Sequence, residues 1–133
     1  MLALLLLGSL AGAAEPPRYP PDSILLFVAA WCAPCQGELA RLAEISRAAR
    51  PFRVLVVPFD DGKGTRAMLD AVPVAQRLVV DRATQRRLVT EVERRSAGLP
   101  FSLAIDQEGQ ICAAQAALLD GAAAAALVSA CRR

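Results

Sequence analysis

The chain has 133 residues, of which 55% are hydrophobic, and its 15 basic and 13 acidic side chains leave a net charge of +2. That length suits one compact domain with a modest core, and the charges are scattered, so neither a second domain nor a nucleic-acid-binding stripe is indicated. Histidine is absent, which removes Cys/His nucleophile pairs and Ser/His/Asp triads and leaves sulfur and carboxylate to carry any chemistry.

In chain order, the apolar run Leu2 to Leu10 passes into the small residues Ala11 to Ala14 and then into Glu15-Pro16-Pro17-Arg18. This reads as a secretory signal over residues 1–14, cut near Ala13 or Ala14, although no positive residue precedes the run. An uncleaved anchor is the poorer reading, because about 13 residues span only roughly 20 Å as a helix. Residues 15–21 read as an extended tether, since four of the six residues from Pro16 to Pro21 are proline, and the folded domain is expected over 22–133.

Ile24 to Val28 is a continuous apolar run and predicts a strand buried on both faces. From Pro34 to Ala49 the residues Leu39, Ala40, Leu42, Ala43, Ile45 and Ala49 recur at helical spacing, with Glu38, Arg41, Glu44 and Arg47 on the opposite side. Phe52 to Val57 predicts a second buried strand, parallel to the first across a helical crossover. A loop at Asp60 to Gly64, a short helix at Thr65 to Ala71, a brief strand at Leu78 to Val80 and a helix from Ala83 to Arg95 follow. The arginines of that last helix face solvent, and Leu88, Val89 and Val92 face inward. Gly98-Leu99-Pro100 breaks the pattern. Phe101 to Ile105 and Gln110 to Ala114 then read as a hairpin around Asp106 to Gly109, and Asp120 caps an alanine-rich helix from Gly121 to Cys131.

The chemistry concentrates at Trp31-Cys32-Ala33-Pro34-Cys35, where the first strand feeds the first helix. A helix start supplies unpaired N–H groups and partial positive charge, which stabilise a thiolate, and Pro34 costs nothing in the first turn. Two plainer readings stand beside a redox pair. One is an inert structural bridge. The other is metal binding, in which two thiolates, too few for zinc, would hold cuprous copper. If the chain is exported, four cysteines favour disulfides. For Cys112 and Cys131, a strand advancing roughly 13 Å and a helix returning roughly 16 Å bring the two ends together. A structural disulfide between them is expected, with buried free thiols or a second redox pair as the alternatives.

Together these stretches resemble the thioredoxin superfamily, and within it the exported TlpA/ResA-type thiol:disulfide oxidoreductases. Ile24 to Leu42 is similar to that family's strand, Trp-Cys-x-Pro-Cys and helix, including Glu38. Leu78 to Asp81 is similar to its inserted strand, and Gly98 to Gly109 to its cis-proline loop, strand and turn. The likeness runs in order over about 110 residues, which is more specific than a lone Cys-x-x-Cys.

The resemblance implies an α/β fold with a central mixed sheet flanked by helices and an insertion between the second core strand and the C-terminal hairpin. It makes Cys32 the exposed nucleophile and Cys35 the resolving thiol, with Ala33 and Pro34 tuning the pair. Trp31 would cover one side, and the Leu99 backbone beside a cis Pro100 would pair with substrate. It further implies a monomer without cofactor or metal, acting on cysteine-containing proteins as a reductant, for example in cytochrome c maturation or periplasmic thiol reduction. A membrane or periplasmic redox partner would recycle it. A copper carrier or a disulfide-donating oxidase are the rival functions. Leu26 departs from the pattern, standing where many thioredoxins bury an acid, so that water or Glu38 would have to move the Cys35 proton. Ala40 stands where a proline often kinks the helix, and Phe101 where a small hydroxyl residue is common.

Overall fold

The computed structural model describes residues 18–132 together with the isolated positions Gly8 and Pro16; the rest of the signal-like segment 1–14 lies outside the described residues. Four strands, β1 (Ser23–Val28), β2 (Arg53–Pro58), β3 (Phe101–Ile105) and β4 (Ile111–Gln115), form one mixed sheet in the order β2-β1-β3-β4. β1 runs parallel to β2 and antiparallel to β3, and β3 and β4 form the C-terminal hairpin.

All six residues of β1 are buried, which explains its unbroken apolar sequence. Ile24, Leu26 and Val28 face one core and Leu25 and Phe27 the other. The first core is covered by α1 (Ala33–Ala40), α2 (Leu42–Ala48), α3 (Lys63–Asp70) and α5 (Gly121–Cys131), and the second by α4 (Arg82–Arg95) through Leu88 and Val92. Val89 is only half-buried. Phe101 fills the second core, tilted at 55° against Phe27 with ring centroids 6.4 Å apart.

Three local expectations are corrected. The single helix from Pro34 to Ala49 is two, because Arg41 leaves helical geometry at φ −108° and ψ 14° and its N–H bonds to the Glu38 carbonyl three residues back. The helix therefore breaks without a proline at position 40, and the break lets α2 pack on α5 while α1 stays anchored through buried Cys35 and Glu38. Leu78 to Val80 is not a strand. Arg77 makes one parallel bridge to Val56 and Leu78 N–H donates to the Val56 carbonyl at 2.9 Å, after which Val79 turns out to solvent and Asp81 caps α4. The chain turns into the helix before a second bridge can form.

Packing also starts before Asp22. Tyr19, placed in the tether by the proline count, is buried in the α4-side core, and its N–H donates to the Gly109 carbonyl at 2.9 Å. Gly109 itself has φ +79°, and a Cβ there would lie 2.9 Å from the Tyr19 carbonyl oxygen. Glycine is required twice over, for the backbone angle and for the close approach.

The last helix is held at both ends. Asp120 Oδ1 accepts from Ala123 N–H at 2.8 Å, and Cys131 is joined to Cys112 of β4 across a Cα–Cα distance of 5.3 Å. A bridge across 19 residues of chain restricts the unfolded ensemble, so replacing both cysteines with alanine should lower unfolding stability by about 2 kcal/mol in urea titrations.

Candidate active site

The C-terminal end of β1 delivers the chain into Ala29 to Trp31, and α1 begins immediately after. Cys32 is the N-cap of α1, with φ −95° and ψ 97°, and its N–H donates to the Ala29 carbonyl at 3.0 Å. Cys35 N–H donates both to the Cys32 carbonyl at 3.2 Å and to Cys32 Sγ at 3.3 Å. Sulfur thus occupies the position that a serine or aspartate oxygen takes in an ordinary cap. A negative charge forming on Cys32 Sγ would meet an N–H already aimed at it and the positive end of the helix.

Cys32 and Cys35 are joined as a disulfide, with Cα atoms 5.3 Å apart. Cys35 is fully buried and Cys32 retains 4% of its surface. The expected exposed nucleophile is therefore nearly covered, because the closed disulfide draws its sulfur toward Cys35. It is still the only one of the two that offers surface to a partner. Cys35 Sγ lies 3.7 Å from the Phe27 carbonyl oxygen, an acceptor for its proton once the pair is reduced.

Ala33 and Pro34 are exposed on the rim beside Cys32. Leu99 is half-buried against both cores, and the Leu99–Pro100 peptide is cis, as the resemblance implies. Phe101, the next residue, pairs with Phe27 in the sheet, which brings the proline loop to the same end of β1 as the cysteines. Arg50–Pro51 is a second cis peptide, outside this site.

Trp31 is anchored to the loop that follows β2. Its indole N–H donates to Asp60 Oδ2 at 2.9 Å, its ring meets Phe59 edge-on with centroids 6.0 Å apart, and 61% of its surface stays exposed. Asp60 Oδ1 in turn accepts from Gly62 N–H at 2.9 Å, and Thr65 Oγ1 accepts from Ala30 N–H at 3.0 Å. Partial burial pushes the Asp60 carboxyl up, but hydrogen bonds from Thr65, Gly62 and Trp31 outweigh it and hold the group below its usual range. Asp60 and Thr65 were legible only as loop and helix residues, since their partners lie 29 and 35 positions away. Asp60→Ala should cost about 1 to 2 kcal/mol of stability and raise the mobility of Trp31, readable as a fall in its fluorescence anisotropy.

Glu38 is the largest departure from the sequence reading. Assigned there to the polar side of the helix, it is buried with 1% of its surface exposed, on the same face as Cys35 one turn earlier. Its Oε2 accepts from Leu119 N–H at 2.7 Å, and its Oε1 has no hydrogen-bond partner. Burial raises its pKa to about 7, against the lowering effect of the Leu119 N–H. The three-residue spacing from Cys35 carried the signal, because positions i and i+3 share a helix face. Leu26, where an acid was missed, is buried in the core beneath α1.

Among solved structures, the exposed lipoprotein thioredoxin of Streptococcus pneumoniae superposes with a TM-score of 0.59 at 22% identity, covering 82% of this chain and 84% of its own. A thioredoxin-family thiol:disulfide interchange protein from Chlorobium tepidum also gives 0.59, at 17% identity over 89% of this chain and 99% of its own. The chain has the thioredoxin fold. StoA from Bacillus subtilis is similar at a TM-score of 0.52 and 18% identity, over 80% of this chain and 81% of its own. No protein-family model and no curated protein sequence matches the chain. On this thioredoxin fold, Cys32 and Cys35 stand at the start of the first helix, and the cis proline stands immediately before β3.

Among the described residues, no three histidine, cysteine or carboxylate side chains gather into a group that could hold a metal, and no helix is long and apolar enough to cross a membrane.

Proposed function

We propose that this protein is an exported thiol:disulfide oxidoreductase that passes electrons from a Cys32/Cys35 dithiol to disulfides of protein substrates. The observation that carries the reading is Cys32 Sγ serving as the helix N-cap and accepting the Cys35 N–H at 3.3 Å. A structural bridge has no use for that arrangement, whereas a nucleophilic thiolate is stabilised by it.

In the reduced protein, Cys32 thiolate attacks one sulfur of the substrate disulfide. A Cys32–substrate bond forms, the substrate S–S bond breaks, and the departing sulfur leaves as thiolate and takes a proton. Cys35 then loses its proton and attacks Cys32 Sγ, which closes the intramolecular disulfide and releases the second substrate thiol. Two electrons have moved from the enzyme pair to the substrate. Glu38, one turn beyond Cys35 and raised to a pKa of about 7, is the proton acceptor for this second step.

Trp31, Ala33, Pro34 and the Leu99–Pro100 loop form the surface against which an extended substrate segment lies. A membrane or periplasmic redox partner restores the dithiol, and the protein acts as a monomer without metal or organic cofactor. Export is supported by the signal-like segment 1–14 and by the Cys112–Cys131 disulfide, since structural bridges persist in oxidising compartments.

The reading is tested by adding the protein in catalytic amount to a protein disulfide substrate and a dithiol. Many substrate disulfides should be reduced per protein molecule. Stoichiometric binding of cuprous ion with no turnover would overturn it in favour of a copper carrier.

A further inference from the structure

Among the described residues, two buried side-chain polar atoms lack a hydrogen-bond partner: Glu38 Oε1 and Ser102 Oγ. Ser102 lies on β3, paired with Leu26 of β1 and with Gln115 of β4. Alternate residues of a strand share a face, so Ser102 points with Ala104 into the core that holds Leu26, Cys32 and Cys35.

Three pieces of connectivity place both atoms on the Cys35 side of the sheet. Leu26 is followed by Phe27, whose carbonyl lies against Cys35 Sγ. Gln115 is followed, four residues on, by Leu119, whose N–H holds the other oxygen of Glu38. Glu38 itself sits one helical turn past Cys35. An unpartnered polar atom that stays dry in a core destabilises the fold. A buried water typically makes two to four such bonds, and it is the ordinary way to satisfy two polar groups set apart in a core.

We propose that Ser102 is a positioning residue for the resolving step: with Glu38 Oε1 it holds one buried water beside Cys35, and the Cys35 proton leaves through that water. The inference rests on the exchange reaction proposed above and supplies the route it needs. Cys35 S–H gives its proton to the water, which passes one of its own to the Glu38 carboxylate. The electron pair left on Cys35 forms the bond to Cys32 as the Cys32–substrate bond breaks. Glu38 returns the proton when the disulfide is reduced again. The hydroxyl of Ser102 thus stands across the strand from Leu26 and serves the position at which that side chain supplies no acid. Glu38 meets the Leu119 N–H, and no charged side chain contributes to its shift.

The test uses the full chain, reduced and mixed with the aromatic disulfide of thionitrobenzoate. The first thionitrobenzoate released reports Cys32 attack, and the second reports Cys35 resolution. In the parent the second phase should quicken as pH rises through about 7, where Glu38 ionises. Ser102→Ala should slow that phase about tenfold and flatten its rise, with the first phase unchanged. In a Glu38→Gln background the same substitution should cost nothing more. Ser102→Thr and Ser102→Val, equal in volume, repeat the comparison with and without the hydroxyl should the alanine variant fold poorly. A Ser102→Ala second phase equal to the parent's would overturn the proposal, as would losses from Ser102→Ala and Glu38→Gln that multiply. A parent with no second phase would instead refute Cys35 as the resolving thiol, which is a failure of the underlying reaction.

Discussion

Cys32→Ser should abolish turnover, with a loss of at least about a thousandfold in disulfide reduction, because a serine hydroxyl is a far weaker nucleophile at neutral pH than a thiolate. The substitution is structurally mild. A serine oxygen at the N-cap can accept the Cys35 N–H that the sulfur accepts now, so α1 should form as before and unfolding stability in the reduced state should be nearly unchanged. Cys35→Ser gives a different phenotype. Its Cys32 still attacks, but nothing resolves the product, and the protein should accumulate as a mixed disulfide with substrate, visible on non-reducing gels. Equal turnover by Cys32→Ser and the parent would remove Cys32 from the mechanism altogether.

Glu38→Gln should change how stability depends on pH. In the folded chain the carboxyl has a pKa of about 7, against 4.5 for an unperturbed group. Below about pH 4.5 both folded and unfolded chains hold the proton, and Glu38 carries no penalty. Between there and about pH 7 the folded chain binds a proton that the unfolded chain has lost, so stability falls as pH rises. Above about pH 7 a carboxylate remains buried, at a cost of about 3 kcal/mol relative to low pH. Glutamine keeps an acceptor for the Leu119 N–H and has no charge to bury. Urea midpoints at about pH 5 and about pH 8 should therefore lie closer together in Glu38→Gln than in the parent, with the variant the more stable at the higher pH. An unchanged difference between the two pH values would show that Glu38 titrates as an ordinary exposed acid. The same variant should resolve mixed disulfides more slowly, so it gains stability and loses rate.

Much of this fold and site is written in local pattern. β1 is six buried residues and reads as an unbroken apolar run. α5 starts where Asp120 can cap it, and the β3–β4 turn falls on a glycine at positive φ. The two cysteines of the site sit in five consecutive residues. What escaped the sequence depends on partners far along the chain. Glu38 looked solvent-facing because helical periodicity records polarity, and its donor Leu119 is 81 residues away. Tyr19 looked like part of a proline tether because nothing near it announces the Gly109 turn on which it packs. Leu78 to Val80 has strand composition, but Asp81 starts a helix one residue later, and the helix cap prevails over a second bridge. Ser102 is a lone hydroxyl in an otherwise apolar strand, and only the sheet register sets it opposite Leu26.

Equilibrating the protein with thiol buffers of graded potential, and following the fluorescence of Trp31 as the only tryptophan, tests the central claim most directly. The account predicts a reversible two-electron transition of the Cys32/Cys35 pair with a midpoint at or below about −250 mV, at the reducing end of the thioredoxin-like scale. A midpoint near about −120 mV would contradict the reductant and make the protein a disulfide donor. No reversible transition at all would contradict thiol–disulfide exchange itself.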